Sequence, residues 1–95
     1  MRLKCYTVYD GKVAAYLPPF YCRADGEAIR MFAESVMSEG HQFAKHPEDF
    51  TLFYIGEYDD ETAKVECVIT PVSLGTALEF LAGRAQVEKE EASDA

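Results

Sequence analysis

Two largely apolar runs, residues 2 to 9, RLKCYTVY, and residues 12 to 17, KVAAYL, flank Asp10-Gly11. Such runs read as strands, and Asp-Gly suits the two positive-φ positions of a type I′ turn. The segment is therefore expected to form a hairpin that pairs Tyr9 with Lys12, Val8 with Val13, Tyr6 with Ala15 and Lys4 with Leu17. One face would then carry Tyr6, Val8, Val13, Ala15 and Leu17. Neither Pro18 nor Pro19 can donate to a ladder, so the second strand should stop there and Phe20-Tyr21-Cys22 should run on as an extended connection.

Ile29, Phe32, Ala33, Val36 and Met37 recur at the spacing of one helical face. Asp25 suits the N-cap of that helix, Glu27 the positive end of its dipole and Gly40 its stop. His41 to Asp49 is a polar connection broken by Pro47, and Phe50 to Tyr58, FTLFYIGEY, is the strongest strand signal in the chain. Asp59-Asp60-Glu61-Thr62 should turn it back into Ala63 to Thr70, AKVECVIT, with Glu57 opposite Lys64, Tyr54 opposite Cys67 and Leu52 opposite Ile69. After Pro71 a second helix is predicted from Ser73, with Leu74, Ala77, Leu78 and Leu81 on one side and Gly83 at its end. The order is β-β-α-β-β-α: an α+β domain over residues 1–85, with two hairpins in a mostly antiparallel four-stranded sheet and two helices packed on it. Residues 86–95, QVEKEEASDA, are too polar to bury and read as an acidic, disordered tail.

A chain of 95 residues, 48% of them hydrophobic, supports one small core. Folding at this size buries only about 60 to 65% of the surface of the unfolded chain, so a homodimer would add stability. Nine Lys and Arg against 17 Asp and Glu give a formal net charge of −8; the last eight residues carry −3 of it, leaving −5 for the remainder. That field opposes nonspecific attraction to a phosphate backbone, so any contact with DNA requires a local patch. Cys5, Cys22 and Cys67 form no C-x-x-C pair and follow no secretory signal, which points to a reducing cytosol. No apolar run approaches the ~18 residues of a membrane span, and no membrane partner is expected.

The predicted sheet leaves a second face. From the first hairpin it should present Leu3, Cys5, Thr7, Tyr9, Lys12, Ala14 and Tyr16. From the second it should present Thr51, Phe53, Ile55, Glu57, Lys64, Glu66 and Val68. Two helices on the opposite side would leave this mixed face with more apolar surface than water should meet. A helix or a second subunit would cover it. Alternatively it is a platform on which single-stranded bases stack against Tyr9, Tyr16 and Phe53 while Lys4, Lys12 and Lys64 meet phosphates.

Other candidates are weaker. Arg23 and Arg30 flank the start of the first helix and could hold an anion there, but ordinary surface pairing, for instance of Arg30 with Glu27 or Glu34, is the better account. Glu57, Asp59, Asp60 and Glu61 crowd one turn without the Gly and terminal Glu spacing of a calcium loop. His41, His46 and the three cysteines are too scattered for a zinc site. The chain has no nucleophile-elbow motif, no Walker loop and no G-x-G-x-x-G, so neither an enzyme nor a cofactor or metal site is expected. The Leu74, Leu78 and Leu81 stripe reads as core or as a helix for a partner protein.

Certain stretches resemble a known family: Tyr9-Asp10-Gly11-Lys12, Pro18-Pro19-Phe20, Asp25-Gly26-Glu27-Ala28 through Arg30 and Phe32, and the run from His46 to Asp60, HPEDFTLFYIGEYDD. They are similar to the small nonstructural protein of gokushovirus-type phages of the Microviridae. The resemblance spans most of residues 5 to 75, and the Pro-Glu-Asp-aromatic run is its most specific element. It implies a noncatalytic helper of single-stranded DNA genome replication in the cytoplasm of a bacterial host, and it brings no catalytic residues. The leading mode of action is single-stranded DNA binding on the mixed face, and the alternative is a dimeric adaptor or assembly factor that recruits a host or phage replication protein.

Overall fold

The computed structural model describes residues 1–83, so the expected tail at 86–95 lies outside the described residues. Their order is β1 (Arg2–Asp10), β2 (Ala15–Tyr16), β3 (Phe20–Cys22), α1 (Asp25–Met37), α2 (Gln42–Lys45), a 3-10 turn (Pro47–Asp49), β4 (Phe50–Asp59) and β5 (Val65–Thr76). A further helix, α3, occupies 77–83. The class is α+β, and the sheet is antiparallel throughout, with β1 and β4 in the middle, β5 on one edge and β2 and β3 sharing the other.

The first hairpin forms with a longer loop than the Asp10-Gly11 turn predicts. Tyr9 pairs with Tyr16 and Asp10 with Ala15, leaving residues 11–14 as the turn. Tertiary pairing decides this: Asp10 is held in the sheet opposite Phe50, and Gly11 donates its N–H to the Asp49 carbonyl at 2.8 Å. The Asp10 carboxylate accepts the Lys12 N–H at 3.0 Å, and Ala14 takes the positive φ of 55° that closes the loop. Val13, expected on the core face, is thereby exposed. Past the two prolines, Phe20–Cys22 is a strand and not a bare connection, pairing Tyr21 with Cys5 and Phe20 with Tyr6.

The second hairpin also differs from expectation. Tyr58 pairs with Val65, Glu57 with Glu66 and Gly56 with Cys67, after which a bulge sets four residues of β5, Val68 to Pro71, against Ile55 alone before Tyr54 meets Val72. Two carboxylates therefore lie opposite each other where Lys64 was expected to face Glu57. Arg2 makes this tolerable, its guanidinium donating to Glu57 at 2.9 Å and Glu66 at 3.3 Å. The strand continues through Ser73 to Thr76, so the last helix starts at 77 and not near Ser73. Its start is a capping box: the Glu79 N–H donates to Thr76 Oγ1 at 3.1 Å while the Thr76 N–H donates to the Glu79 carboxylate at 3.2 Å.

The core lies between one sheet face and the helices. Tyr6, Val8, Phe50 and Leu52 from the sheet meet Ala28, Phe32 and Val36 of α1, Phe43 of α2 and Ala77 of α3. Ala24, not Asp25, is the N-cap of α1 and offers no side-chain bond. Asp25 is diverted: its carboxylate accepts the hydroxyl of fully buried Tyr6 at 2.6 Å.

Candidate functional site

Strand alternation assigns the opposite sheet face to Leu3, Cys5, Thr7 and Tyr9 of β1 and to their cross-strand partners. Tyr9 and Tyr16, paired across β1 and β2, have ring centroids 4.7 Å apart, and Tyr16 lies 5.9 Å from Phe53 in an edge-on arrangement. These rings make a ladder across three strands, with Tyr16 half exposed. Farther along, Tyr21 of β3 and Tyr58 of β4 stand 5.6 Å apart. Tyr21 is the cross-strand partner of Cys5, whose thiol is pushed up by burial and so held away from its nucleophilic form. Thr7, buried opposite Phe53, donates its hydroxyl to the Leu17 carbonyl at 2.7 Å. Between ladder and pair, an apolar cleft of about 240 Å³ is lined by Thr7, Tyr16, Leu17, Pro19, Ile55 and Pro71.

Of the six residues expected to bind nucleic acid, the fold brings Tyr9, Tyr16 and Phe53 together and disperses the three lysines. Lys4 lies on the helix-bearing face, its ammonium 3.5 Å from Asp25 and 5.9 Å from the Tyr54 ring centroid. Lys64 belongs to the β4–β5 turn and lines a polar hollow with Arg2, Glu57, Asp59, Thr62 and Glu66. Lys12 is exposed in the 11–14 turn at the end of the ladder.

The registers have a consequence for charge. Glu57 and Glu66, expected on the mixed face, lie with Arg2 on the other side, because the bulge at Ile55 reverses the facing of everything beyond it. The strand residues that pair on or line the outer face are Leu3, Cys5, Thr7, Tyr9, Tyr16, Tyr21, Thr51, Phe53, Ile55, Gly56, Tyr58, Val65, Cys67, Pro71, Ser73 and Thr76. None is charged, in a chain where 27% of residues are. Tyr21, Tyr58 and Pro71 were not foreseen here; the alternation in Phe20-Tyr21-Cys22 was the available signal for the first.

The remaining candidates resolve individually. The Glu27 carboxylate, offered by sequence to Arg30, accepts the Arg23 N–H at 3.4 Å. The acidic turn is organised by its own backbone and the chain start, Asp59 accepting the Glu61 N–H at 2.9 Å and Asp60 taking the Met1 ammonium at 2.7 Å. The Glu61 N–H above all, with minor help from Thr62, Met1 and Arg2, holds the Asp59 carboxyl below its ordinary range. His41 caps α2 by accepting the Phe43 N–H at 3.1 Å. Burial, and then the Glu27 charge, raises the Cys22 thiol. Among the described residues, His46, Glu48 and Asp49 could converge on a cation, but they sit at the surface, where such groups are common without one. No helix among the described residues is long and apolar enough to cross a membrane.

Comparison with curated proteins and with solved structures yields no match. A family model does match, over residues 3–80, from β1 into α3 and so across both faces of the sheet, and its description is Phage ORF5 protein. The chain is thus a phage protein and belongs to the Phage ORF5 protein family.

Proposed function

We propose that the chain is a noncatalytic adaptor in the synthesis of a phage's single-stranded DNA genome, acting through protein contacts at its uncharged sheet face. The observation that carries this is the separation of charge: an aromatic, ion-free face on a chain of net charge −8. Protein interfaces are depleted in charge at their centres and enriched in Tyr and Phe, as this face is, with charge confined to the rim. Glu57, Asp59, Glu61 and Glu66 at one end of the sheet suit basic groups on a replication protein of phage or host. The family match supports the phage setting, and the resemblance of the run from His46 to Asp60 to gokushovirus nonstructural proteins supports genome synthesis.

The Tyr9, Tyr16 and Phe53 ladder favours a second reading, in which single-stranded bases stack there. Such stacking platforms run beside cations that follow the backbone, and here Lys4 pairs with Asp25 and Arg2 with Glu57 and Glu66. Titration of a labelled single-stranded oligonucleotide, followed by fluorescence polarisation at two salt concentrations, separates the two. The adaptor reading expects no salt-sensitive binding. Binding with a negative slope of log affinity against log salt, lost in Tyr16→Ala, would replace it with the DNA reading. In infected cells the adaptor reading further expects Phe53→Asp to lower single-stranded genome yield while double-stranded replicative DNA persists.

A further inference from the structure

We infer that the uncharged face is covered by a second copy of this chain, in a twofold dimer that seats Ile69 of each protomer in the apolar cleft of the other. The inference rests on the reading of that face as a protein-contact surface and names its occupant.

Ile69 is the most exposed large hydrophobic residue described, at 104% of its reference area. It lies in the Val68 to Pro71 excursion of β5, midway between Cys67, which faces the uncharged side with Gly56, and Pro71, which lines the cleft on that side. Pro71, two residues on, is part of the wall of the cleft formed with Thr7, Tyr16, Leu17, Pro19 and Ile55. A knob and a hole thus stand side by side on one surface. That is the arrangement a twofold axis requires, because one patch must offer both halves of the contact. A cavity of roughly 150 Å³ accepts benzene, so a cleft of about 240 Å³ has room for a branched aliphatic side chain.

Charge selects among occupants. Two copies at −8 each repel through every acidic surface, and this face lets them approach with no carboxylate between them. Single-stranded DNA would need a row of cations, and beside this face the described residues offer only Lys12, at the end of the ladder. The chain's own segment beyond residue 85 is QVEKEEASDA, which has only Val87 to fill an apolar cleft and would have to desolvate carboxylates. β1, β4 and β5, each ~30 Å long, and a fourth row shared by the short β2 and β3, at ~4.8 Å spacing, present at most about 600 Å², below the ~800 Å² per partner of a standard interface. A reversible dimer with a micromolar dissociation constant is the corresponding expectation.

Sedimentation velocity of the full chain from about 1 to 200 μM reads this directly. The wild type should pass from monomer to dimer, Ile69→Asp should raise the dissociation constant at least ~30-fold, and Ile69→Leu should preserve it. Circular dichroism checks that each variant is folded. A photoreactive benzoylphenylalanine at position 69 should crosslink to the partner within residues 16–19 or at Ile55. A wild type that stays monomeric at 200 μM overturns the dimer, as does an unchanged constant in folded Ile69→Asp or crosslinking confined elsewhere. The two proposals fail separately. A dimer abolished by Ile69→Asp with genome yield untouched would sink the adaptor reading alone, whereas a monomeric wild type with yield still sensitive to Phe53→Asp would sink the dimer alone.

Discussion

Tyr6 joins the deepest part of the core to the start of α1. Its ring is fully buried against Phe20 and Tyr54, and its hydroxyl reaches the Asp25 carboxylate at 2.6 Å. Burial first, the hydrogen bond to Asp25 second and the Asp25 charge third hold the phenol neutral well above its ordinary pKa of 10.0. Above that pH the unfolded chain sheds a proton that the native state keeps. The Tyr6 contribution is therefore complete below about pH 10 and is lost as the pH rises beyond it, by up to ~1.4 kcal/mol per unit. Urea titrations at pH 8 and pH 11 should show a smaller loss for Tyr6→Phe than for wild type. At pH 8 the same variant should be less stable by about 1.5 kcal/mol, the lower end for a bond to a charged acceptor because Asp25 is partly solvated. Gly56 is a second decisive residue. Its φ of +158° and the Glu66 carbonyl facing the place of a Cβ leave no room for a side chain, so Gly56→Ala should cost at least ~2 kcal/mol in the same titration.

At the scale of elements, β4 and α1 were legible in the sequence because each carries a sustained signal: a run rich in aromatic and β-branched residues from Phe50, and Phe32 and Val36 on one helical face. Turn chemistry alone misplaced the hairpin registers. Asp10-Gly11 has the composition of a two-residue turn, yet Asp10 pairs with Phe50, forty positions away, and no local rule contains that partner. Ser73 and Leu74 fit a helical spacing, but the T-x-x-E signal at Thr76 and Glu79 marks the true start. Glu57 was matched to Lys64 on charge, while the structure tolerates Glu57 opposite Glu66 because Arg2 arrives from a third strand. Arg2→Gln should therefore lower the melting temperature at ~10 mM salt, with the deficit shrinking at ~0.5 M as screening weakens the repulsion. A deficit independent of salt would mean that Arg2 acts through packing instead.

For the molecule as a whole, those registers decide what the candidate site is. The aromatic members Tyr9, Tyr16 and Phe53 could be read in advance, since strand alternation alone places them on one side. Alternation along β1 likewise sets Lys4 on the opposite face, but the removal of Glu57 and Glu66 from the aromatic side could not be read, because it follows from one unpaired residue, Ile55, which turns over the far half of β4. The same bulge limits how far assembly can go. An uninterrupted edge strand as long as β5 would offer an open row of amides to any number of further chains, the geometry from which fibrils grow. Here the Val68 to Pro71 excursion breaks that row, and Pro71 withholds an amide at its end. The protein can thus display an exposed isoleucine on a sheet edge without templating a filament.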